Sequence, residues 1–365
     1  MAASLTIVEK TGALIMSGFD GICISQELKN LIVNQRFGGF ILFERNFESP
    51  YQLHRLIKEM QSLSISQQNG NPLFISVDQE GGRISRLKAP FSNFPSQYCL
   101  GVSRSESLAY RFGQALAIEL KSVGINMDYA PVLDVNSNPK NPIIGERALS
   151  NDPELVSNLG SAIMNGFAPT GVIPVGKHFP GHGDTDQDSH LELPTVNKTV
   201  EELEEVELKP FIYNIGKGLQ VLMTAHVLYP AWDKNYPATF SKIIIQDILR
   251  KRLGFQGLVM SDDLEMKAVE NLFEFKDIPV LGFKAGLDQF MICNNVEKSI
   301  VLQEQMIHDV EKGKISSNRL EESLQRTAKA KIGLMDFTPQ TPPDFNLWSR
   351  PHDKLIQEMK EFIKA

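Results

Sequence analysis

The chain has 365 residues, 42% of them hydrophobic, enough to bury a large core as one big α/β domain or two ordinary ones. Its formal net charge of -7, with no long run of Lys or Arg, offers no basic footprint for a phosphate backbone and excludes nucleic acid as an expected partner. Cys23, Cys99 and Cys293 are odd in number, far apart and flanked by apolar residues, which fits buried reduced thiols better than a disulfide framework.

The amino terminus, MAASLTIVEKTGALIMSGFDG, lacks the basic start, long apolar stretch and cleavage site of a secretory signal. No segment approaches 18 uninterrupted apolar residues, so no membrane span is expected. These features lead to the expectation of a soluble, cytoplasmic protein. Eight short apolar runs then follow in chain order: ALIMSG (13 to 18), FILF (40 to 43), LFISVD (73 to 78), INMDYAP (125 to 131), VIPVGKHF (172 to 179), QVLMTAH (220 to 226), LVMSDD (258 to 263) and LDQFMIC (287 to 293). Several end in a polar residue before a loop and a helical pattern.

Between them SLAYRFGQALAIELKSVG and PELVSNLGSAIMNGFAPTG carry apolar residues at a spacing near 3.6 and close on glycine, the mark of helices packed on a sheet. VEELEEVELKPFIYNIGKG opens as a helix at Thr199, with Glu202 completing a capping box. Strands alternating with helices imply a parallel sheet, and eight of them without a GxGxxG after the first predict a TIM-type (β/α)8 barrel rather than an open dinucleotide-binding sheet. In such a barrel Asp78, Asp128, Lys177, His178, His226, Asp262 and Asp263, which end strands, would face one mouth. The barrel is expected over 1–335. A proline-rich linker and a tail helix with Leu355, Ile356, Met359, Phe362 and Ile363 at helical spacing should fill 336–365.

The densest chemistry lies in KHFPGHGDTDQDSHLELP, residues 177 to 194, with three histidines and three aspartates in a loop punctuated by glycine and proline. A solvated polar loop is one reading. A zinc site built from His178, His182, His190 and the neighbouring aspartates is another, although no HExxH pair fixes two ligands on one face. The third makes His190 a proton donor oriented by Asp188 in DSH, able to protonate a leaving sugar oxygen and later deprotonate water.

The second requirement of that chemistry, a nucleophilic carboxylate, is offered by Asp262 or Asp263 in GLVMSDDLEM; either could instead cap the next helix. VDQEGGRISRL supplies Asp78, a Gly-Gly pair that would let backbone approach a ligand, and Arg83. GERALS adds Arg147, and Lys177 and His178 add donors; surface or barrel ion pairs are the alternative for these charges. His226 in MTAHVLYP is either a wall of the site or a hydrogen-bonded core histidine.

Taken in order, VDQEGGR, GER, KHFPGHGDTDQDSHLELP, ELKPF and SDDLEM resemble glycoside hydrolase family 3, and within it the β-N-acetylhexosaminidase branch of peptidoglycan recycling, over residues 12 to 335. The resemblance implies retention through a covalent glycosyl-enzyme, with no metal and no organic cofactor. It makes Asp262 the nucleophile and Asp188 with His190 the acid/base pair on a mobile loop. Asp78, Arg147, Lys177 and His178 match the positions that hold terminal N-acetylglucosamine, while His182 shapes the loop. Related two-domain β-glucosidases draw their acid/base from a second domain, for which this chain is too short. ALS after Arg147 departs from the serine, phenylalanine and glycine usual in similar proteins, a change expected at the pocket edge. The implied substrate is a small carbohydrate or muropeptide, an anhydro-muramoyl aglycone in particular, acted on by a cytoplasmic monomer.

Overall fold

A computed structural model of the chain describes residues 5–67, 70–186, 192–335, 337, 339–344 and 349–363. Eight parallel strands close into a barrel: β1 Ile15–Ser17, β2 Gly39–Leu42, β3 Phe74–Val77, β4 Met127–Asp128, β5 Ile173–Phe179, β6 Val221–Thr224, β7 Leu258–Asp263 and β8 Gln289–Ile292. Each pairs with its neighbours in sequence, and β8 returns to β1 through Ile15 opposite Phe290 and Met16 opposite Met291. All eight apolar runs became barrel strands, as the (β/α)8 expectation required.

The largest difference from the sequence reading is β4, reduced to two residues of the run 125 to 131. Pro131 has no N–H for the ladder, and the chain bridges to β5 again only at Val132 opposite Lys177. The helix opening at Thr199 does carry its capping box, but it stops at Glu205 and a second helix, Lys209–Gly216, begins with Pro210 in its first turn. Proline is tolerated there and not in a helix interior, so the single helix expected over this stretch divides.

Helices Glu106–Val123 and Pro153–Phe167 pack against each other on the outside of the barrel. A final helix, Ser349–Glu361, lies on the first of them and buries Leu355, Ile356 and Met359. Phe362 is partly buried, but Ile363 is 51% exposed and does not join that face. His352 of the tail donates into Glu119 at 2.6 Å, and Glu119 also accepts the Ser92 N–H, tying tail, outer helix and the segment after β3 together. Among the described residues no helix is long and apolar enough to cross a membrane. Cys99 and Cys293 are buried free thiols, whereas Cys23, expected to be buried, is exposed.

Candidate active site

The carboxyl ends of the strands surround a cavity of about 250 Å³ lined by Asp78, Glu80, Tyr129, Arg147, Lys177, His178, His182, Asp262 and Asp263, among others. That is slightly below the usual range of ligand pockets, roughly 300–1,000 Å³, and suits a single ring better than an extended chain.

One wall is an ion network, the ion-pair alternative for these charges, centred on Glu80, which the sequence reading lacked. Lys177 at the end of β5 is buried and reaches Asp78 at 2.7 Å and Glu80 at 2.5 Å. Arg147 grips the same Glu80 with both arms of its guanidinium, Nε to Oε2 at 2.9 Å and Nη2 to Oε1 at 2.8 Å. Burial alone would raise the Glu80 carboxyl, but Arg147 and Lys177 outweigh it and hold the group far below the ordinary carboxylate range. Glu80 was missed because it lies past the strand-ending Asp78, and only the fold carries its side chain to two cations remote in sequence.

A short hairpin, Gln79–Gly81 with Ile84–Ser85, presents Glu80. Gly81 and Gly82 adopt φ of 88° and 60°, and a Cβ on Gly81 would lie 2.4 Å from the Pro95 carbonyl oxygen. The Gly-Gly pair therefore serves the approach of the hairpin to the 94–96 segment, not the approach of backbone to a ligand. Arg83 also proves different from expectation. It is exposed, is not among the lining residues, and donates to the Ile143 carbonyl at 2.5 Å; Arg86 is the arginine of this segment that reaches the cavity.

His178 is oriented by Asp134, a second residue the sequence reading passed over, just beyond the fourth apolar run. Asp134 takes the His178 Nδ1 proton at 2.6 Å with one oxygen, and with the other accepts the backbone N–H groups of His178 at 3.1 Å and His182 at 2.7 Å. With Nδ1 committed, Nε2 is the ring nitrogen His178 can present to a ligand. His182 lines the same cavity, and burial, reinforced by His178, takes it down to about 4, so it is neutral near pH 7.

Two strand-end residues expected at the mouth are instead part of its foundation. Asp128 is fully buried, accepts the Gln79 N–H at 3.0 Å and is pushed well above the ordinary carboxylate range by burial. His226 has both ring nitrogens engaged, Nδ1 with Thr239 at 2.7 Å and Nε2 with the Asp263 carbonyl at 3.0 Å. It does not line the cavity and braces the end of β7 from beneath, the core-histidine alternative.

The adjacent aspartates at the end of β7 sit in opposite electrostatic environments. Burial opposes ionisation of Asp262, yet His178, His226, the Asp263 N–H at 2.7 Å and Lys177 outweigh it and hold its carboxyl below the ordinary range. Asp263 is bound into the backbone, its Oδ1 accepting the N–H groups of Glu265 and Cys293 at 3.1 Å each, and burial with the nearby Glu265 and Asp262 charges raises it to about 7. Environments that drive two neighbouring carboxyls apart distinguish Asp262 as the carboxylate of the pair that stays ionised.

That separation has a measurable consequence. A carboxyl raised in the folded state contributes stability that is complete below about pH 4 and lost as pH rises through about 7, because the unfolded chain ionises first. Asp263→Asn cannot ionise and keeps an oxygen for both backbone donors. Urea unfolding should therefore show the variant close to wild type at pH 4 and more stable by about 3–4 kcal/mol at pH 8. Equal stability differences at the two pH values would mean that Asp263 is an ordinary ionised aspartate.

Asp188 and His190 lie outside the described residues. The stems on either side are anchored: Asn141 donates to the His182 and Gly183 carbonyls and to Thr185, while Lys198 joins Asp184 at 3.0 Å to Glu207 at 2.7 Å. Ala148 and Leu149, the departure after Arg147, are buried and do not line the cavity. Among the described residues no group of three His, Cys, Asp or Glu side chains is arranged to hold a metal ion.

Residues 6–330 match the family model described as the glycosyl hydrolase family 3 N terminal domain. A β-hexosaminidase of Nitrosomonas eutropha is 40% identical over 268 residues, 72% of this chain and 75% of that protein. A family 3 β-N-acetylglucosaminidase from a Paenibacillus species superposes with a TM-score of 0.94 at 36% identity, covering 98% of this chain and 69% of its own. NagZ from Neisseria gonorrhoeae, solved with N-trifluoroacetyl-D-glucosamine, superposes with a TM-score of 0.73 at 31% identity, covering 89% of this chain and 98% of its own.

Proposed function

The chain belongs to glycosyl hydrolase family 3 and has β-hexosaminidase-type activity, and from that premise we propose that it releases terminal β-linked N-acetylglucosamine from cell-wall fragments with retention of configuration. The observation that carries this reading is the split between the two aspartates at the end of β7: Asp262 is an anion facing a cavity of single-sugar size, while burial and the neighbouring Glu265 and Asp262 charges raise Asp263 to about 7 against the pull of its two backbone donors.

In the proposed reaction Asp262 attacks the anomeric carbon from the face opposite the leaving oxygen and forms a covalent glycosyl-enzyme. His190, its imidazolium stabilised by Asp188, gives a proton to the departing oxygen and then takes one from the water that displaces Asp262. Asp78 and Glu80 are placed to accept sugar hydroxyls, and Arg147, Lys177 and His178 to donate to hydroxyl and acetamide oxygens. Because all four charged members of the network are paired with one another, they need little rearrangement to receive a neutral sugar. The proposed natural substrate is an N-acetylglucosaminyl anhydro-muramoyl peptide handled in the cytoplasm, taken from the resemblance of the motifs.

The acid/base assignment is tested by leaving-group dependence. His190→Ala should slow release of N-acetylglucosamine from a disaccharide by about 10²–10⁴-fold, the usual worth of a positioned acid, and slow the 4-nitrophenyl glycoside much less, since nitrophenolate leaves without protonation. Equal losses on both substrates would remove His190 from the acid role. Product analysis in phosphate buffer separates hydrolysis, which yields the free sugar, from phosphorolysis, which yields the sugar 1-phosphate.

A further inference from the structure

The cavity has an inner and an outer part. Lys177, Glu80, Tyr129 and Met223 are buried at its closed end, whereas Phe43 and Arg86 are half-buried and Asn294 is exposed. An enzyme that removes one terminal sugar holds that sugar at the closed end, so its leaving group must point outward past Phe43, Arg86 and Asn294.

The cations of this site differ in one respect. Arg147 and Lys177 are neutralised by Glu80 and Asp78, and Arg45, over the Phe43 ring at 4.5 Å, is paired with Asp20 and bonded to the Cys293 carbonyl. Arg86 shares that ring, 5.6 Å from its centroid, but its side chain makes no hydrogen bond or ion pair among the described residues, and its Nε is buried without a partner. A guanidinium stacked on a ring has its fork oriented, and one with no carboxylate beside it is suited to receive an oxyanion from a ligand.

We propose that Arg86, set against Phe43 at the outer wall of the cavity, forms a leaving-group subsite that takes a carboxylate carried by the leaving group. The proposal rests on the hexosaminidase reading and adds the charge of the aglycone to it. It makes Arg86 a specificity-determining residue with no part in bond cleavage.

The test uses two β-1,4 disaccharides with N-acetylglucosamine at the non-reducing end, one bearing a 3-O-lactyl carboxylate on the reducing sugar and the other its methyl ester. Wild type should favour the acid in kcat/KM by about tenfold or more at low ionic strength, as charge-assisted bonds of this type do. The ratio should fall to near one in Arg86→Gln and to an intermediate value in Arg86→Lys, which keeps the charge and loses the fork. Each ratio is taken within one preparation, so a misfolded fraction cancels. A wild-type ratio near one, or a preference that survives both variants, overturns the proposal. So does an Arg86 effect seen only with added phosphate and sugar 1-phosphate as product, since the bound anion is then free phosphate. If wild type cleaves neither disaccharide nor 4-nitrophenyl N-acetyl-β-glucosaminide, the activity itself fails and the subsite falls with it.

Discussion

Asp262→Asn should lower kcat for 4-nitrophenyl N-acetyl-β-glucosaminide by on the order of 10⁴-fold or more, as removal of a covalent nucleophile does, and leave the melting temperature nearly unchanged. The two halves of this expectation come from the same geometry. Asp262 is an anion held below the ordinary carboxylate range inside the cavity, and its carboxylate has only the neighbouring Asp263 N–H as a hydrogen-bond partner among the described residues. Asparagine retains an acceptor for that N–H, so little folding energy is at stake. A site that concentrates charge for reaction rather than for packing commonly gains stability when the charge is removed. Asp262→Gly carries the test further, because azide admitted to the vacated space should restore turnover and give the α-glycosyl azide from a β-substrate. A variant that keeps rates within tenfold of wild type, or azide rescue that returns the β-azide, would move the nucleophile elsewhere.

Glu80→Gln should be the most damaging single change for stability in the cavity wall. It preserves size and removes the charge that two buried cations share, leaving Arg147 and Lys177 to repel each other. Breaking a buried ion pair from one side costs about 3–5 kcal/mol, which for a chain of this length corresponds to a fall of roughly 4–7 °C in melting temperature. The sugar-holding groups are disturbed as well, so KM should rise by about tenfold or more.

The same network has a pH signature of definite sign. The folded-state Glu80 carboxyl lies far below its ordinary value of 4.5, so its stabilisation is fully present above that value and is lost as pH falls toward the folded-state value. Wild type and Glu80→Gln should therefore differ most at neutral pH and converge in acid. Denaturant melts at pH 7 and pH 3 measure this directly. A constant difference across that range would mean that Glu80 contributes by packing and not by charge.

The barrel was legible because its signal is local and repeated. Each strand is a short apolar run ended by a polar residue, each helix a 3.6-residue stripe, and a parallel sheet admits few topologies once eight such units follow one another. Asp78, Lys177, His178 and Asp262 were legible for the same reason: they sit at strand ends, and strand ends define the mouth. Arg147 lies in a loop, and its signal was the GER motif and not its spacing.

What the sequence by itself determined about this protein is thus the order of its elements, the end of the barrel that carries chemistry, and the family motifs that make Asp262 a candidate. Partnership was decided by the tertiary structure alone. Glu80 and Asp134 lie just beyond the strand-ending residues Asp78 and Asp128, and they matter because closure of the barrel brings them to Arg147, Lys177 and His178 from distant parts of the chain. Asp128, His226 and Arg83 carry suitable chemistry in suitable places, yet burial, a doubly bonded imidazole and an outward course keep them off the cavity. Asp262 and Asp263 are identical in type and adjacent in sequence. Only three-dimensional surroundings, cations and one N–H around the first, burial and two neighbouring carboxylates around the second, hold one below the ordinary carboxylate range and raise the other to about 7, because desolvation and charge act through space and leave no mark in local sequence.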